Sequence, residues 1–100
     1  MSRIAHMVIL KFKPGVSDKT IDGLFLQLGE LKTLIPGILR FAGGEYSSGE
    51  GMNKGFTHGF LMEFETAAAR DNYLPHPEHE RVKGAILPHI IDVIAFDFEL

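Results

Sequence analysis

Segments that alternate every two residues and segments with helical spacing follow one another in a fixed order along this 100-residue chain. Alternation, with enrichment in β-branched and aromatic residues, predicts four strands at residues 4–13, 38–46, 56–65 and 90–100. Apolar residues at helical spacing predict helices at residues 17–35 and 67–74, and a shorter helix at 77–87. The resulting order, β-α-β-β-α-β, is typical of the ferredoxin-like split βαβ fold, an α+β class with a four-stranded antiparallel sheet.

Local signals agree with these boundaries. Ser17 and Thr66 are residue types that cap helix N-termini, and Pro77 suits the first position of a helix. A Pro-Gly pair at residues 36–37 ends the first helix, and a second glycine pair, at residues 43–44, predicts a bulge in the second strand.

One face of the predicted sheet is left without a cover. The helices pack on one side, and the other side carries Met7, Ile9, Leu61, Ile91 and Val93, or their neighbours of opposite parity. A single domain of this size has no further segment to bury those residues, and a large exposed apolar face usually marks an interface. The sequence therefore predicts a homodimer through the sheet face, a barrel made from two chains.

Charge and composition exclude several classes of partner. The net charge is −3, with Lys and Arg scattered along the chain, whereas a nucleic-acid surface needs a concentrated basic patch. No apolar run approaches the roughly 20 residues of a membrane span. The chain has no cysteine, which excludes disulfides, thiolate metal sites and a cysteine nucleophile. The N-terminal residues lack the features of a signal peptide, so a cytoplasmic protein is predicted.

Five side chains could place polar chemistry in an otherwise apolar cavity. Tyr73, His76 and His79 lie three residues apart, and His6 and His58 each interrupt an apolar strand face. If these groups converge between the first helix and the sheet, the cavity combines imidazoles, which titrate near neutral pH, with a phenolic hydrogen-bond donor. The apolar wall of that cavity is assigned to Val8, Leu10, Phe25 and Phe60.

The same residues carry a family resemblance that spans essentially the whole chain. The motif positions are His6, Val8, Lys11, Phe12 and Lys13, then Thr57, His58, Phe60 and Phe64, then Tyr73, His76, Pro77 and His79, and finally Phe96, Asp97 and Phe98. In this pattern the chain resembles the stress-responsive A/B barrel domain family of dimeric α+β barrels. The resemblance implies two kinds of role, because the family includes plant stress proteins and a plant enzyme that closes a linear polyketide into an aromatic ring. The acid/base pair of that enzyme corresponds to Tyr73 and His79, and its pocket histidines to His6, His58 and His76.

The resulting hypothesis is a cofactor-independent cyclase, isomerase or lyase for a small, partly apolar carbonyl compound. In it Tyr73 polarises an oxygen, His79 is the base, and His6, His58 and His76 position the substrate. No metal site is predicted, because residues 76–79 cross a proline and no carboxylate is expected on the face of His6. Asp97 is expected by parity to face away from His6, towards the dimer or the end of the strand.

Two alternatives stay open. The histidines can be structural, with His6 and His58 hydrogen-bonded in the core and His76 bonded to its own turn. The protein is then a non-catalytic small-molecule binder or a stress-related structural homodimer. A third reading is a haem- or oxygen-using enzyme, because related dimeric barrels include monooxygenases.

Overall fold

A computed structural model describes residues 2–100 of the chain. The strands are β1 (Ile4–Phe12), β2 (Ile38–Glu45), β3 (His58–Phe64) and β4 (Ile90–Glu99). The helices are α1 (Asp18–Leu34), α2 (Ala67–Tyr73) and α3 (Pro77–Ile86), followed by a 3-10 turn at Leu87–His89. The predicted α+β order is confirmed, although β3 begins at His58, later than periodicity suggested. No helix in the described range is long and apolar enough to cross a membrane.

The sheet is antiparallel with the strand order β2-β3-β1-β4, so β1 and β3 are central. Alternate residues of β1 point towards the helices and are buried: Ile4, His6, Val8, Leu10 and Phe12. The intervening Met7 and Ile9 are each 39% exposed on the outer face of the sheet. The predicted parity of β1 is therefore correct.

The helix caps form as their residue types predict. The Ser17 hydroxyl accepts a hydrogen bond from the main-chain N–H of Thr20 at the start of α1, and Thr66 accepts one from Ala69 at the start of α2. After α1, Gly37 takes a φ of +92°, which a side chain would strain.

The bulge predicted at residues 43–44 is wrong. Gly43 and Gly44 pair in regular register with Phe60 and Gly59, and the register shift lies between Ile38 and Arg40. Gly43 serves close packing instead, because a Cβ atom there would lie 2.7 Å from Cε2 of Phe25.

The parity expected for β4 is also wrong. His6 is directly opposite Asp97 in the β1–β4 register, and Leu10 is opposite Val93. Residues that are directly opposite in an antiparallel pair share a face. Asp97 and Val93 therefore lie on the helix-facing side, not on the outer side. Ile91 falls where the register shifts, between the partners of Lys11 and Phe12.

As a consequence, the more apolar half of β4 is on the outer face. Ile94, Phe96 and Phe98 are 46%, 64% and 45% exposed, and they lie opposite Ile9, Met7 and Ala5. Both alternating sets of β4 are rich in apolar residues, so the strand alone does not determine which set faces the helices. The register with β1 determines it.

Candidate active site

A cavity of about 210 Å³ lies between the helix-facing side of the sheet and α3, and we call it the helix-side cavity. Six of the predicted site residues line it: His6, Val8, Leu10, Phe60, Tyr73 and His79. Lys83 and Ile86 of α3 and Val93 and Ala95 of β4 complete much of the wall. The first helix contributes Leu28, so α3 rather than α1 forms the main helical wall.

Tyr73, the last residue of α2, is only 1% exposed. Its ring packs against Phe64, with the centroids 5.0 Å apart, and against His79 at 4.3 Å. No fully buried polar side-chain atom in the described residues lacks a partner, and no hydrogen bond found among them involves the Tyr73 hydroxyl. The hydroxyl is therefore open to the cavity. Burial raises the pKa of Tyr73 well above its ordinary value, so the phenol stays protonated and can donate.

His79, in the first turn of α3, has a defined tautomer. Its Nδ1 lies 2.8 Å from the carbonyl oxygen of Leu74. A carbonyl only accepts hydrogen bonds, so Nδ1 carries the proton and donates it, and in the neutral ring Nε2 holds the free lone pair. Burial lowers the pKa of His79, against the opposing effects of the Leu74 hydrogen bond and of Glu80. At neutral pH the imidazole is therefore poised as a proton acceptor.

His6 is 7% exposed and is bound to a carboxylate that the sequence did not place there. Its Nδ1 lies 2.6 Å from Oδ1 of Asp97, and Nη1 of Arg70 lies 2.8 Å from Oδ2 of the same carboxylate. Burial by itself raises the pKa of Asp97, but the hydrogen bonds from His6 and Arg70 outweigh it and lower the pKa. The expectation that Asp97 faces away from His6 is thus corrected.

Two contributors to this site, Arg70 and Lys83, are not predicted from the sequence, and the face predicted for a third, Asp97, is wrong. β4 carries three acidic residues, Asp92, Asp97 and Glu99, and the sequence does not distinguish Asp97 among them. No pattern in the sequence singles out Arg70 of α2 or Lys83 on the cavity wall.

His58 and Phe25 do not reach the helix-side cavity. His58 is opposite Leu10, whereas His6 is opposite Met62, so the two histidines are four residues apart along the sheet, or about 13 Å. His58 packs 5.8 Å from Phe25 and faces a separate cleft that also contains the carboxylates of Asp18 and Asp22. The expected convergence of four imidazoles is therefore wrong.

His76 caps α3. Its Nδ1 accepts a hydrogen bond of 3.1 Å from the main-chain N–H of Glu78, and Pro77 occupies the first helical turn. This geometry matches the structural alternative, in which His76 is hydrogen-bonded to its own turn. His76 positions His79 by fixing where α3 begins, and it lies outside the cavity wall.

Within residues 2–100, no group of three or more histidine or carboxylate side chains is arranged to hold a metal ion. The carboxylate nearest the cavity histidines, Asp97, is bound by His6 and Arg70. The ionisable groups on the wall of the helix-side cavity are two imidazoles, one phenol and the ammonium group of Lys83, which pairs with Glu80 at 3.1 Å.

Comparison with known proteins gives a family match over nearly the entire chain. Residues 4–100 match the stress responsive A/B barrel domain, Dabb. The stress-response A/B barrel domain-containing protein HS1 of Arabidopsis thaliana is 30% identical, over 96% of this chain and 88% of that protein. Olivetolic acid cyclase of Cannabis sativa is 25% identical, over 76% of this chain and 75% of the cyclase.

Solved structures share the fold closely. A hydroxynitrile lyase from Passiflora edulis superposes with a TM-score of 0.91 at 21% identity, covering 99% of this chain and 94% of the lyase. A dimeric ferredoxin-like protein of unknown function from Jannaschia sp. CCS1 superposes with a TM-score of 0.87 at 25% identity, covering 98% and 99% of the two chains. Neighbours of this chain thus include dimeric ferredoxin-like proteins.

Proposed function

Because the chain belongs to the stress-responsive A/B barrel domain family, we propose that its helix-side cavity performs cofactor-independent acid/base chemistry on a small, partly apolar carbonyl compound. The observation that carries the proposal is the pairing of Tyr73 and His79. One is a permanently protonated donor and the other a neutral base, and their ring centroids are 4.3 Å apart on one cavity wall.

The chemistry follows from the protonation states of the two groups. Nε2 of His79 removes a proton from the carbon next to a carbonyl, and the electron pair of the broken C–H bond moves onto the carbonyl oxygen. The Tyr73 hydroxyl donates a hydrogen bond to that oxygen as its negative charge develops. Because the surrounding wall is apolar, this hydrogen bond is stronger than it would be in water. The enolate can then form a new bond, or take a proton back elsewhere.

The cavity size and wall indicate the substrate class. A volume of about 210 Å³ compares with about 150 Å³ for an engineered protein cavity that binds benzene. The wall includes Val8, Leu10 and Phe60, so the substrate needs an apolar portion as well as its carbonyl group. The name of one similar protein, olivetolic acid cyclase, supports an enzymatic role for this fold.

Hydrogen–deuterium exchange at carbon tests the proposal without knowledge of the full reaction. Small β-keto acids, phenolic acids and aromatic lactones are first screened for thermal stabilisation of the protein. Compounds that bind are then incubated in D₂O, and deuterium incorporation next to the carbonyl is followed by mass spectrometry. The wild type should accelerate incorporation, and His79→Ala should slow it by about 10²- to 10⁴-fold, the usual contribution of a general base.

His89→Ala is the matched control, because His89 lies in the turn after α3 and does not line the cavity. It should retain the wild-type exchange rate. Equal exchange by wild type and His79→Ala would reject the role of His79 as the base.

A non-catalytic binding protein is the second candidate, and the apolar character of the cavity wall favours it. Burial of an apolar ligand is sufficient for binding without any proton transfer. In that case a ligand stabilises wild type and His79→Ala alike, and neither protein accelerates deuterium incorporation.

We also propose that the chain forms a homodimer through the outer face of its sheet. Ile94, Phe96 and Phe98 are each at least 45% exposed on that face, beside Met7 and Ile9. A contiguous apolar surface of this kind usually marks an interface, and dimeric proteins are among the structural neighbours. Sedimentation equilibrium tests the assembly, and a monomer at micromolar concentration would contradict it.

A further inference from the structure

Three charged or ionisable side chains from three different elements are linked by hydrogen bonds beside the helix-side cavity. His6 belongs to β1, Asp97 to β4 and Arg70 to α2. Nδ1 of His6 lies 2.6 Å from Oδ1 of Asp97, and Nη1 of Arg70 lies 2.8 Å from Oδ2 of Asp97. Nε of Arg70 lies 2.8 Å from Oδ1 of Asp71. The sequence gives no indication that these residues meet.

The donor and the acceptor of the hydrogen bond between His6 and Asp97 can be assigned. An ionised carboxylate only accepts hydrogen bonds, so Nδ1 of His6 must be the donor to Asp97. The other ring nitrogen, Nε2, is then the one left for the cavity that His6 lines. A carboxylate that holds Nδ1–H in this way selects one tautomer of a neutral imidazole and fixes the ring orientation.

Arg70 in turn immobilises the carboxylate. Each oxygen of Asp97 has its own partner, His6 on Oδ1 and Arg70 on Oδ2. Arg70 is itself held at a second point by Asp71, and its side chain is 23% exposed, which leaves this ion pair partly shielded from solvent. Without Arg70 the carboxylate could rotate about its own bond, and one of its oxygens would lose its partner.

We propose that Arg70 and Asp97 are positioning residues that hold His6 with Nδ1 protonated and Nε2 facing the helix-side cavity, so that His6 is a second proton-transfer group in the cavity that Tyr73 and His79 also line. The ring of Tyr73 lies 6.0 Å from that of His6 and 4.3 Å from that of His79, centroid to centroid. Tyr73 is thus near both imidazoles, and all three side chains line the same cavity.

Two such groups define a narrower class of reaction, and this step rests on the proposed function. His79 takes one proton from a substrate carbon, and the C–H electron pair moves to the carbonyl oxygen. His6 in its doubly protonated form, which keeps Nδ1–H on Asp97, delivers the Nε2 proton to a second atom of the same substrate. The substrate keeps its composition, His79 gains one proton, His6 loses one, and exchange with water resets both. Isomerisation of a β-dicarbonyl compound and aldol-type ring closure both have this balance.

The tautomer of His6 tests the positioning role directly. In protein labelled with ¹⁵N-histidine, nitrogen chemical shifts distinguish Nδ1–H from Nε2–H forms, independently of any turnover. We expect the neutral ring of His6 to be the Nδ1–H form in the wild type. In Asp97→Asn the amide can donate to Nδ1, so the Nε2–H form should become the major one. Unchanged nitrogen shifts in Asp97→Asn, or an Nε2–H form in the wild type, would overturn the proposal.

Arg70→Met tests the same role without touching the bond between His6 and Asp97. We expect a mixture of His6 tautomers and a higher pKa for Asp97, measured from its ¹³C carboxyl shift, and we expect Arg70→Lys to restore part of both. Arg81→Met is the matched control, because Arg81 pairs with Glu78 on the exposed surface of α3. It should leave His6 unchanged, and an equal effect of Arg70→Met and Arg81→Met would contradict the role of Arg70.

These measurements distinguish the positioning role of Arg70 and Asp97 from the proposed catalytic function. A fixed Nδ1–H tautomer together with no carbon-bound deuterium exchange would reject the catalytic function and leave the positioning role standing. Deuterium exchange that depends on His79 but not on Asp97 or Arg70 would retain the function and reject His6 as its second group.

Discussion

The rings of Tyr73 and His79 lie 4.3 Å apart, centroid to centroid, although they belong to different helices. The chain breaks between α2 and α3 at Pro75, and α3 restarts under the cap of His76. This break places the last residue of α2 against the first turn of α3. The local turn between the two helices is therefore what assembles the proposed donor and base.

We expect Tyr73 to stabilise the fold through its ring and not through its hydroxyl. Tyr73→Ala should lower the free energy of unfolding by about 3–5 kcal/mol, because a fully buried aromatic ring is lost from the core. Tyr73→Phe should cost far less, because the ring is kept and no internal hydrogen bond of the hydroxyl is lost. Urea unfolding measures both. A large loss in Tyr73→Phe would show that the hydroxyl has an internal partner.

His79 should make stability depend on pH near neutrality. Burial lowers its pKa in the folded state, whereas the unfolded chain titrates near the ordinary value of about 6.5. Between the two pKa values the unfolded state binds more protons, so the free energy of unfolding rises with pH. The part of the free energy of unfolding that depends on His79 is therefore highest above about pH 7. It falls as the pH drops through about 6.5 and levels off below the pKa of His79 in the folded state.

Urea unfolding at several pH values from about 5 to 8 measures this dependence. His79→Gln should flatten the curve over that interval, while His89→Gln should keep the wild-type slope. An identical slope in wild type and His79→Gln would show that the burial of His79 does not govern stability there.

Phe96 tests the outer sheet face. Phe96→Glu places a charge at the centre of the apolar surface, where Phe96 is 64% exposed in the single chain. Burial of an unpaired carboxylate in an interface is costly, so the variant should sediment as a monomer. Leu26→Glu is the matched control, because Leu26 is 68% exposed on α1, away from the sheet face. Dimerisation by Phe96→Glu would place the interface elsewhere.

Gly43 tests the close approach of α1 to β2. A Cβ atom there would lie 2.7 Å from Cε2 of Phe25 and 2.9 Å from Cβ of Phe60. Gly43→Ala should therefore destabilise the protein by about 1–3 kcal/mol, the usual cost of overpacking. The neighbouring Gly44→Ala, which meets open space, should not show that loss. Thermal unfolding of the two variants decides the comparison.

Much of the fold follows from local patterns in the sequence. The strands and helices were predicted in their correct order because turn signals such as Ser17, Pro36-Gly37 and Pro77 coincide with changes of period. The face of β1 was predictable because a buried set alternates with Met7 and Ile9. The homodimer stays a prediction, as do the catalytic roles of Tyr73 and His79.

The errors arise where a tertiary register decides the outcome. Both alternating sets of β4 are apolar, so nothing within the strand places Asp97 beside His6. His6 and His58 lie on the same face, but only the pairing with Met62 and Leu10 shows that they are too far apart to share a cavity. The bulge predicted at Gly43 failed because a glycine in a strand can also make room for a helix side chain.

Adjacent residues of β4 point to opposite sides of the sheet, one towards the helix-side cavity and the next towards the outer face. Val93 and Ala95 line the helix-side cavity and Asp97 binds His6 beside it. Ile94, Phe96 and Phe98 face outward. A saturation scan along this strand should therefore give two interleaved phenotypes, one in ligand response and one in assembly. During evolution, the two sets of positions could vary independently in sequence, yet a one-residue insertion in β4 would disrupt both at once.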